Sequence, residues 1–263
     1  MRELAKKISK ILQRENCKFV LIGAFARDLF FEQKHIKLPV STKDVDFAVL
    51  TESWEEFDEM KEKIINELGL KQDHRVYRLL LGEIPIDLLP FGNIEDGNST
   101  VKWPGTFRER MKVMGFKEAY ENGVDIDVDG EKIRTIIPEM LVALKLSSWS
   151  HGNRVKDAID IKFILENIEV LCKDLITDET LKVDVIESEL KSTREINIAR
   201  LGIRINKLLE GSDLKDYLRN VLENGYNKDL LIRNMNNDTL ATGEALKMLK
   251  ALVEPLAAGV LNK

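Results

Sequence analysis

The stretch STKDVDFAVL, residues 41–50, combines a pair of acids with an apolar run. It places Asp44 and Asp46 at the entrance of an apolar run that continues to Leu50. Residues two apart in a strand project from the same side, and two carboxylates on one side can share a divalent cation, which prefers oxygen ligands. The stretch therefore predicts a strand with a metal site at its beginning.

Gly82-Glu83 predicts a hairpin turn, and the apolar strand that follows it carries one acid in its middle. In IPIDLLPFG, residues 84–92, Asp87 lies between Ile86 and Leu88, where an ionised carboxylate is costly unless something compensates it. If this strand neighbours the first, three carboxylates converge, and like charges that close are tolerated chiefly when Mg²⁺ neutralises them. The alternative is that the three aspartates are unrelated surface or capping residues.

The stretch LIGAFARDLF, residues 21–30, predicts a strand, a tight turn at Gly23 and Ala24, and a helix. A glycine at such a turn lets backbone N–H groups approach a phosphate at the positive end of the helix. Arg27, on that helix, is a candidate to contact a nucleotide, and the alternative is an ion pair with Asp28 or a surface acid.

The order of elements predicts an α+β protein of two domains. Residues 1–137 should form a core with a small mixed sheet, and residues 92–137 a β-rich insert with a hairpin at Asp129-Gly130. From Pro138 onward the apolar spacing is helical. We expect 138–263 to be a helical domain whose first two helices complete the site.

Composition excludes several classes of protein. With 40 Lys plus Arg against 45 Asp plus Glu, a net charge of −5 and 44% apolar residues, the chain is neither disordered nor basic throughout. It has no apolar run of the ~20 residues that a membrane helix needs, and no export signal, which predicts a cytoplasmic protein without a membrane partner. Cys17 and Cys172 stand alone, as is typical of a reducing compartment. Scattered histidines and missing hydrolase or P-loop motifs argue against those mechanisms.

The three quoted stretches resemble the nucleotidyltransferase superfamily of the DNA polymerase β type. The later stretch MLVALKLSSWSHGNRVKDAIDI, residues 140–161, resembles the lysine-bearing helix and the KDxxD helix of the AbiEii/AbiGii toxin branch. The resemblance covers residues 18 to about 166. Two features depart from the pattern, because Ala24 stands where a serine is common and the gap from Gly23 to Asp44 is longer than usual.

The resemblance implies a Mg²⁺-dependent transfer of a nucleoside monophosphate from an NTP, with release of pyrophosphate. Asp44 and Asp46 would hold Mg²⁺ ions, with Mn²⁺ as the alternative ion, and Asp87 would complete a second metal site and help to deprotonate an acceptor hydroxyl. These three would be the catalytic residues and the metal ligands.

The resemblance also implies a nucleotide site with parts from both halves of the chain. Lys145 would neutralise the outer charge of the triphosphate, and Lys156, Asp157 and Asp160 would line the site. The alternative for the KDxxD residues is surface pairing, because residues three apart on a helix are neighbours.

The acceptor and the partners are open at this stage. Residues 102–117 carry Lys102, Arg108, Arg110, Lys112 and Lys117, with Trp103 and Phe107 interleaved. Such a stretch can grip an RNA backbone and stack a base, or it can be a solvated face with a packed loop. We expect RNA, such as a tRNA end, as the acceptor and a cognate antitoxin as the protein partner.

Two other functions fit the same residues. One is transfer to a small hydroxylated molecule, as in an aminoglycoside-type nucleotidyltransferase. The other is a non-catalytic nucleotide- or RNA-binding module, which Ala24 favours and the retention of Asp44, Asp46 and Asp87 disfavours.

Overall fold

The computed structural model describes residues 1–38, 42–104, 110–152, 154–178, 180–181, 192–236 and 242–257. The chain divides into two compact units, Met1–Ile137 and Pro138–Lys263.

The first unit mixes helices with strands. Its elements in chain order are α1 (Arg2–Arg14), β1 (Lys18–Ile22), α2 (Gly23–Gln33), β2 (Val45–Thr51), α3 (Trp54–Leu68), β3 (Lys71–Gln72), β4 (Arg78–Leu81), β5 (Ile84–Gly92), β6 (Glu95–Asp96), β7 (Thr100–Lys102), β8 (Arg110–Lys112), α4 (Phe116–Glu121), β9 (Val124–Val128) and β10 (Glu131–Thr135).

Seven of these strands form one mixed sheet in the order β3-β4-β5-β2-β1-β10-β9. The pairs β2–β5 and β1–β10 are parallel, and β1–β2 and β4–β5 are antiparallel. The central strands β1, β2 and β5 are largely buried, in agreement with their near-continuous apolar sequences. Helix α1 buries an apolar stripe of Leu4, Ile8, Ile11 and Leu12, which recur at helical spacing. The predicted α+β fold with a mixed sheet is confirmed.

The hairpin at Asp129-Gly130 is confirmed, because β9 and β10 pair antiparallel around it. Both turn residues have positive φ, 51° and 85°, as a two-residue hairpin turn with the twist of the sheet requires. Strand β10 also pairs with β1, so this end of the stretch predicted as an insert belongs to the main sheet. Strands β6, β7 and β8 form a separate three-stranded sheet.

The second unit is helical throughout its described residues, as the spacing predicted. It contains α5 (Pro138–Gly152), α6 (Val155–Glu166), α7 (Ile168–Leu171), α8 (Lys173–Thr177), α9 (Thr193–Leu208), α10 (Asp213–Glu223), α11 (Gly225–Met235) and α12 (Thr242–Ala257).

Two local features fix these helices. The hydroxyls of Ser192 and Ser212 cap α9 and α10 by accepting a hydrogen bond from the backbone in the first turn. Gly202 lets α9 lie close to α12, because a Cβ there would be 2.6 Å from the carbonyl oxygen of Leu252. Among the described helices, none combines the length and the apolar character that a membrane crossing requires.

Candidate active site

Three charged residues lie side by side across three neighbouring strands of the main sheet. Asp46 on β2 is in register with Asp87 on β5, and Asp87 is in register with Arg78 on β4. In-register residues on adjacent strands project from the same face, roughly 5 Å apart. We call Asp46, Asp87 and Arg78 the charged row.

Arg78 holds Asp87 with two hydrogen bonds. Its Nε donates to Oδ1 at 2.6 Å and its Nη2 to Oδ2 at 2.7 Å, a bidentate pair. Asp87 is buried, at 7% exposure. The hydrogen bonds from Arg78 therefore compensate the desolvated carboxylate. They also raise the pKa of Arg78, and the negative charge of Asp46 raises it further.

The sequence prediction missed Arg78, although its signal was present. The hairpin turn predicted at Gly82-Glu83 fixes the register of the strands on either side, and counting four residues outward from the turn pairs Arg78 with Asp87. We had expected a metal ion to compensate Asp87, whereas the structure places a guanidinium there.

Asp44 lies just before β2, half-buried, and is tied to α2 through Thr42. The hydroxyl of Thr42 donates to Oδ1 of Asp44, and the backbone N–H of Thr42 donates to Oδ2 of Asp28 at 3.2 Å. Oδ1 of Asp28 in turn accepts from Nε of Arg27 at 2.8 Å. A series of hydrogen bonds through Asp28 and Thr42 thus connects the buried Arg27 guanidinium to Asp44, the first predicted metal ligand.

Arg27 makes the ion pair that was the alternative to nucleotide contact. Its side chain and that of Asp28 are both 4% exposed. The buried guanidinium holds the Asp28 carboxylate in place, and Asp28 in turn accepts a hydrogen bond from the loop before β2.

Gly23 lies directly against Asp46. The register pairs Ile22 with Asp46, so the chain leaves β1 and enters α2 beside that carboxylate. Gly23 has φ +75°, and a Cβ there would lie 2.0 Å from Oδ2 of Asp46. Ala24 follows in the first turn of α2, buried at 5% exposure. The first N–H groups of a helix have no partner within the helix and form its positive end, so the turn joins an anion-binding element to a carboxylate.

Asp44 and Asp46 have the donor chemistry of a Mg²⁺ site, because carboxylate oxygens are the ligands that this ion prefers. Both are half-buried at the end of the sheet where β2 begins. Within the ranges that the structure describes, no three carboxylate, imidazole or thiol groups form a cluster that could hold a metal ion. Asp87, the predicted third ligand, directs both of its oxygens to Arg78.

A second charged cluster lies in the helical unit. Nζ of Lys145 on α5 is 2.5 Å from Oδ2 of Asp160 and 3.3 Å from Oδ1 of Asp157, both on α6. All three side chains are at most 8% exposed, and we call them the buried trio. Asp157 and Asp160 are thus buried, and Asp157 also makes an i,i+3 pair with the exposed Arg154, with Nε 3.4 Å from Oδ2. Lys156 is exposed and lies outside the trio.

The stretch 102–117 buries its aromatic residue Trp103. Trp103 is 2% exposed, and its ring packs against Trp54, Phe57 and Tyr77 with centroids 5.1 to 6.1 Å apart. Of the two alternatives for this residue, base stacking and packing, the structure agrees with packing, because the ring is part of the core. Phe107 and Arg108 lie outside the described residues.

The remaining cations of that stretch are exposed, and three of them cluster. Lys102 on β7 is in register with Arg110 on β8, and Lys112 lies two residues further along β8. Paired strand positions and positions two apart share one face of a sheet. Lys102, Arg110 and Lys112 therefore form a cationic face on the three-stranded sheet, and Lys117 is exposed on α4.

One protein family matches most of the chain. The model of the family described as nucleotidyl transferase AbiEii toxin, type IV TA system, matches residues 10–230. This range includes the charged row, the Gly23 turn and the buried trio. No match was found among curated proteins.

The solved structures that match this chain are distant in sequence. The crystal structure of ANT(2")-Ia in complex with adenylyl-2"-tobramycin is 14% identical, with 76% of this chain and 95% of that chain covered and a TM-score of 0.44. An antigenic nucleotidyltransferase-like protein from Paracoccidioides brasiliensis is 13% identical over 73% of this chain and 94% of that one, with a TM-score of 0.38. A tRNA nucleotidyltransferase complexed with a primer tRNA and an ATP analogue is 12% identical over 95% and 82%, with a TM-score of 0.25.

Proposed function

Because the chain belongs to the AbiEii family of nucleotidyl transferase toxins, we propose that it transfers a nucleoside monophosphate from an NTP to an acceptor hydroxyl, with Mg²⁺. The observation that carries the proposal is the position of the Asp46 carboxylate, which lies against the Gly23 turn and in register with Asp87. A phosphate-binding element and two acids therefore meet at one end of the sheet.

The nucleotide is bound at the Gly23 turn. Backbone N–H groups of Gly23 and Ala24 at the start of α2 hold phosphate oxygens, so the missing serine hydroxyl at Ala24 is not essential. Asp44 and Asp46 hold Mg²⁺, or Mn²⁺ in its place, and the bound ion supplies positive charge at the phosphates. The Thr42 hydroxyl keeps Asp44 oriented for that role.

Asp87 serves the acceptor side of the reaction. The acceptor oxygen forms a bond to the α-phosphorus, the bond from that phosphorus to the bridging oxygen breaks, and pyrophosphate leaves with the electron pair. Asp87 accepts a hydrogen bond from the acceptor hydroxyl and takes up its proton. Arg78 fixes the orientation of the Asp87 carboxylate through its two hydrogen bonds.

We also propose Lys145, on α5, as a nucleotide-binding residue, together with Asp157 and Asp160, which hold its ammonium group in place. Lys156, one residue before Asp157 and exposed, is a further candidate for nucleotide contact.

We propose RNA, such as a tRNA end, as the acceptor. The supporting observation is the cationic face, where Lys102 and Arg110 stand directly opposite each other. Like charges in that arrangement are destabilising unless an anion lies between or above them, and RNA supplies a row of phosphates. The family description supports a cognate antitoxin as partner, and we place both proteins in the cytoplasm, with ATP among the candidate NTPs.

The test is to incubate the protein with each of the four α-³²P-NTPs and Mg²⁺, and to offer total RNA, protein and a panel of aminoglycosides as acceptors. We expect label in RNA, from one preferred nucleotide. Label in an aminoglycoside alone would replace RNA by a small-molecule acceptor and leave the reaction class intact. Binding of NTP without transfer to any acceptor would contradict the proposal and favour a non-catalytic module.

A further inference from the structure

The charged row contains its own cation. Arg78 is in register with Asp87, as Asp87 is with Asp46, so one face of three adjacent strands carries two negative charges and one positive charge. The Arg78 side chain is anchored to β4 at its backbone, and its guanidinium makes a bidentate contact with Asp87, whose side chain is 11% exposed. It lies against both oxygens of Asp87, the residue that was predicted to complete a second metal site.

We propose that Arg78 replaces the second metal ion of the site, so that this chain binds a single divalent ion, at Asp44 and Asp46. This inference rests on the proposed function for the identity of the site, but it concerns the number of ions. It differs from the two-ion site that the sequence predicts.

The contacts of Asp87 support this assignment. Each oxygen of Asp87 accepts a short, charge-assisted hydrogen bond from Arg78, and a divalent ion at Asp87 would have to displace at least one of them. The guanidinium would then face that ion at close range, and two cations so close repel each other strongly in a partly buried site. Binding of a divalent ion at Asp87 therefore requires the loss of the bidentate pair and brings two positive charges close together.

Asp44 differs from Asp87 in its contacts. The hydroxyl of Thr42 donates a hydrogen bond to Oδ1 of Asp44, whereas Arg78 donates to both oxygens of Asp87. The structure therefore places a guanidinium at Asp87 and a hydroxyl at Asp44.

The test counts Mn²⁺ ions bound per chain by electron paramagnetic resonance, on the full chain without nucleotide. We expect one ion for the unaltered chain and for Arg78→Lys, which keeps a cation beside Asp87. We expect two ions for Arg78→Gln, with the first ion bound about tenfold more tightly because a neighbouring positive charge is gone. The double variant Arg78→Gln/Asp87→Asn should return to one ion.

Arg75→Gln is the matched control, because it removes a positive charge from the same hairpin region without touching the Arg78–Asp87 pair, and it should leave the count at one. Two ions on the unaltered chain, or one ion on Arg78→Gln, would overturn the inference. Circular dichroism confirms that each variant is folded before it is counted.

The Mn²⁺ count and the transfer assay can fail independently of each other. If the unaltered chain transfers label from an NTP yet binds two Mn²⁺ ions, the single-ion inference fails and the nucleotidyltransferase proposal stands. If the chain binds one Mn²⁺ ion that Asp46→Asn abolishes, but transfers nothing, the reaction proposal fails and the assignment of Arg78 stands.

Discussion

At the scale of single residues, the turn between β1 and α2 depends on the absence of a side chain at Gly23. Its φ of +75° is a conformation that glycine adopts freely, and the space of a Cβ is taken by the carboxylate of Asp46. Position 23 is therefore restricted to glycine for two reasons. The backbone has a positive φ, and the Asp46 carboxylate fills the space of a Cβ.

Gly23→Ala separates these constraints. We expect a loss of about 1 kcal/mol in the free energy of unfolding from the positive φ, and a loss of transfer activity of at least about 100-fold, because Asp46 must move. Gly130→Ala is the matched control, since Gly130 has φ +85° with nothing within 4 Å of a Cβ. It should show a similar loss of stability with unchanged activity. Equal activity of the two variants would contradict the role given to the turn.

Asp28→Asn tests the buried pair behind Asp44. The substitution removes the negative charge that Asp28 places against the buried Arg27 guanidinium, and breaking a buried ion pair costs about 3–5 kcal/mol in typical cases. Urea unfolding should show this loss, whereas Asp58→Asn, at a side chain that is 57% exposed and pairs with Lys61 three residues later, should cost under about 1 kcal/mol. A loss no larger than that of Asp58→Asn would show that Asp28 does not support the loop before β2.

At the scale of elements, local pairings were predictable and distant ones were not. The hairpin turns at Gly82-Glu83 and Asp129-Gly130 were identified from residue type, because turn conformations are set by the two or three residues involved. The parallel pairing of β10 with β1 joins residues more than one hundred positions apart, for which the sequence of either strand holds no signal. The same limit applies to the three-stranded sheet, whose strands are two or three residues long.

The candidate site shows the same division. Asp44, Asp46 and Asp87 were found because acids in apolar strands are unusual, and the register of Asp46 with Asp87 agrees with the expected neighbourhood. The burial of Trp103 could not be foreseen, because an aromatic residue among cations fits a base-stacking surface and a packed loop equally well.

Helix α5 begins with a buried acid that makes stability depend on pH. Burial raises the pKa of Glu139 above its ordinary value, against the opposing effects of its backbone hydrogen bond and Arg204. A raised pKa means that the folded state keeps a proton that the unfolded state has lost. The contribution of Glu139 to stability is therefore present below its ordinary pKa and is lost as the pH rises through the raised value.

Glu139→Gln should remove this dependence. We expect the free energy of unfolding of the unaltered chain to fall, relative to that of Glu139→Gln, as the pH is raised from 4 to 8, measured by urea unfolding. Glu169→Gln, at an exposed position on α7, should follow the unaltered chain at every pH. A constant difference between the unaltered chain and Glu139→Gln would contradict the assignment.

At the scale of the whole molecule, charge is distributed unevenly. The chain carries a net charge of −5, so any nucleic acid must be held locally rather than by the surface as a whole. The cationic face of Lys102, Arg110 and Lys112 is the local concentration of positive charge that the structure offers on the three-stranded sheet. Its contribution should therefore appear in RNA binding and not in the chemical step.

Replacing Lys102 and Arg110 by alanine together should raise KM for an RNA acceptor about tenfold, with kcat unchanged, and reduce the salt dependence of binding by about two charges. Lys18→Ala/Lys71→Ala, at two exposed positions of the main sheet, is the control with the same change of net charge. If both double variants weaken RNA binding equally, the effect is one of net charge, and the cationic face has no special role.

Asp44 and Asp46 are the residues that we propose as the catalytic end of the nucleotidyltransferase site. The most direct measurement is the rate of pyrophosphate release from the preferred NTP, with Mg²⁺ and acceptor, for the unaltered chain, Asp46→Asn and Asp125→Asn. Asp125 is the matched control, because it is an exposed aspartate of a second Asp-x-Asp sequence, on β9. We predict a rate at least about 1,000-fold lower for Asp46→Asn and an unchanged rate for Asp125→Asn. Full activity of Asp46→Asn would contradict the account.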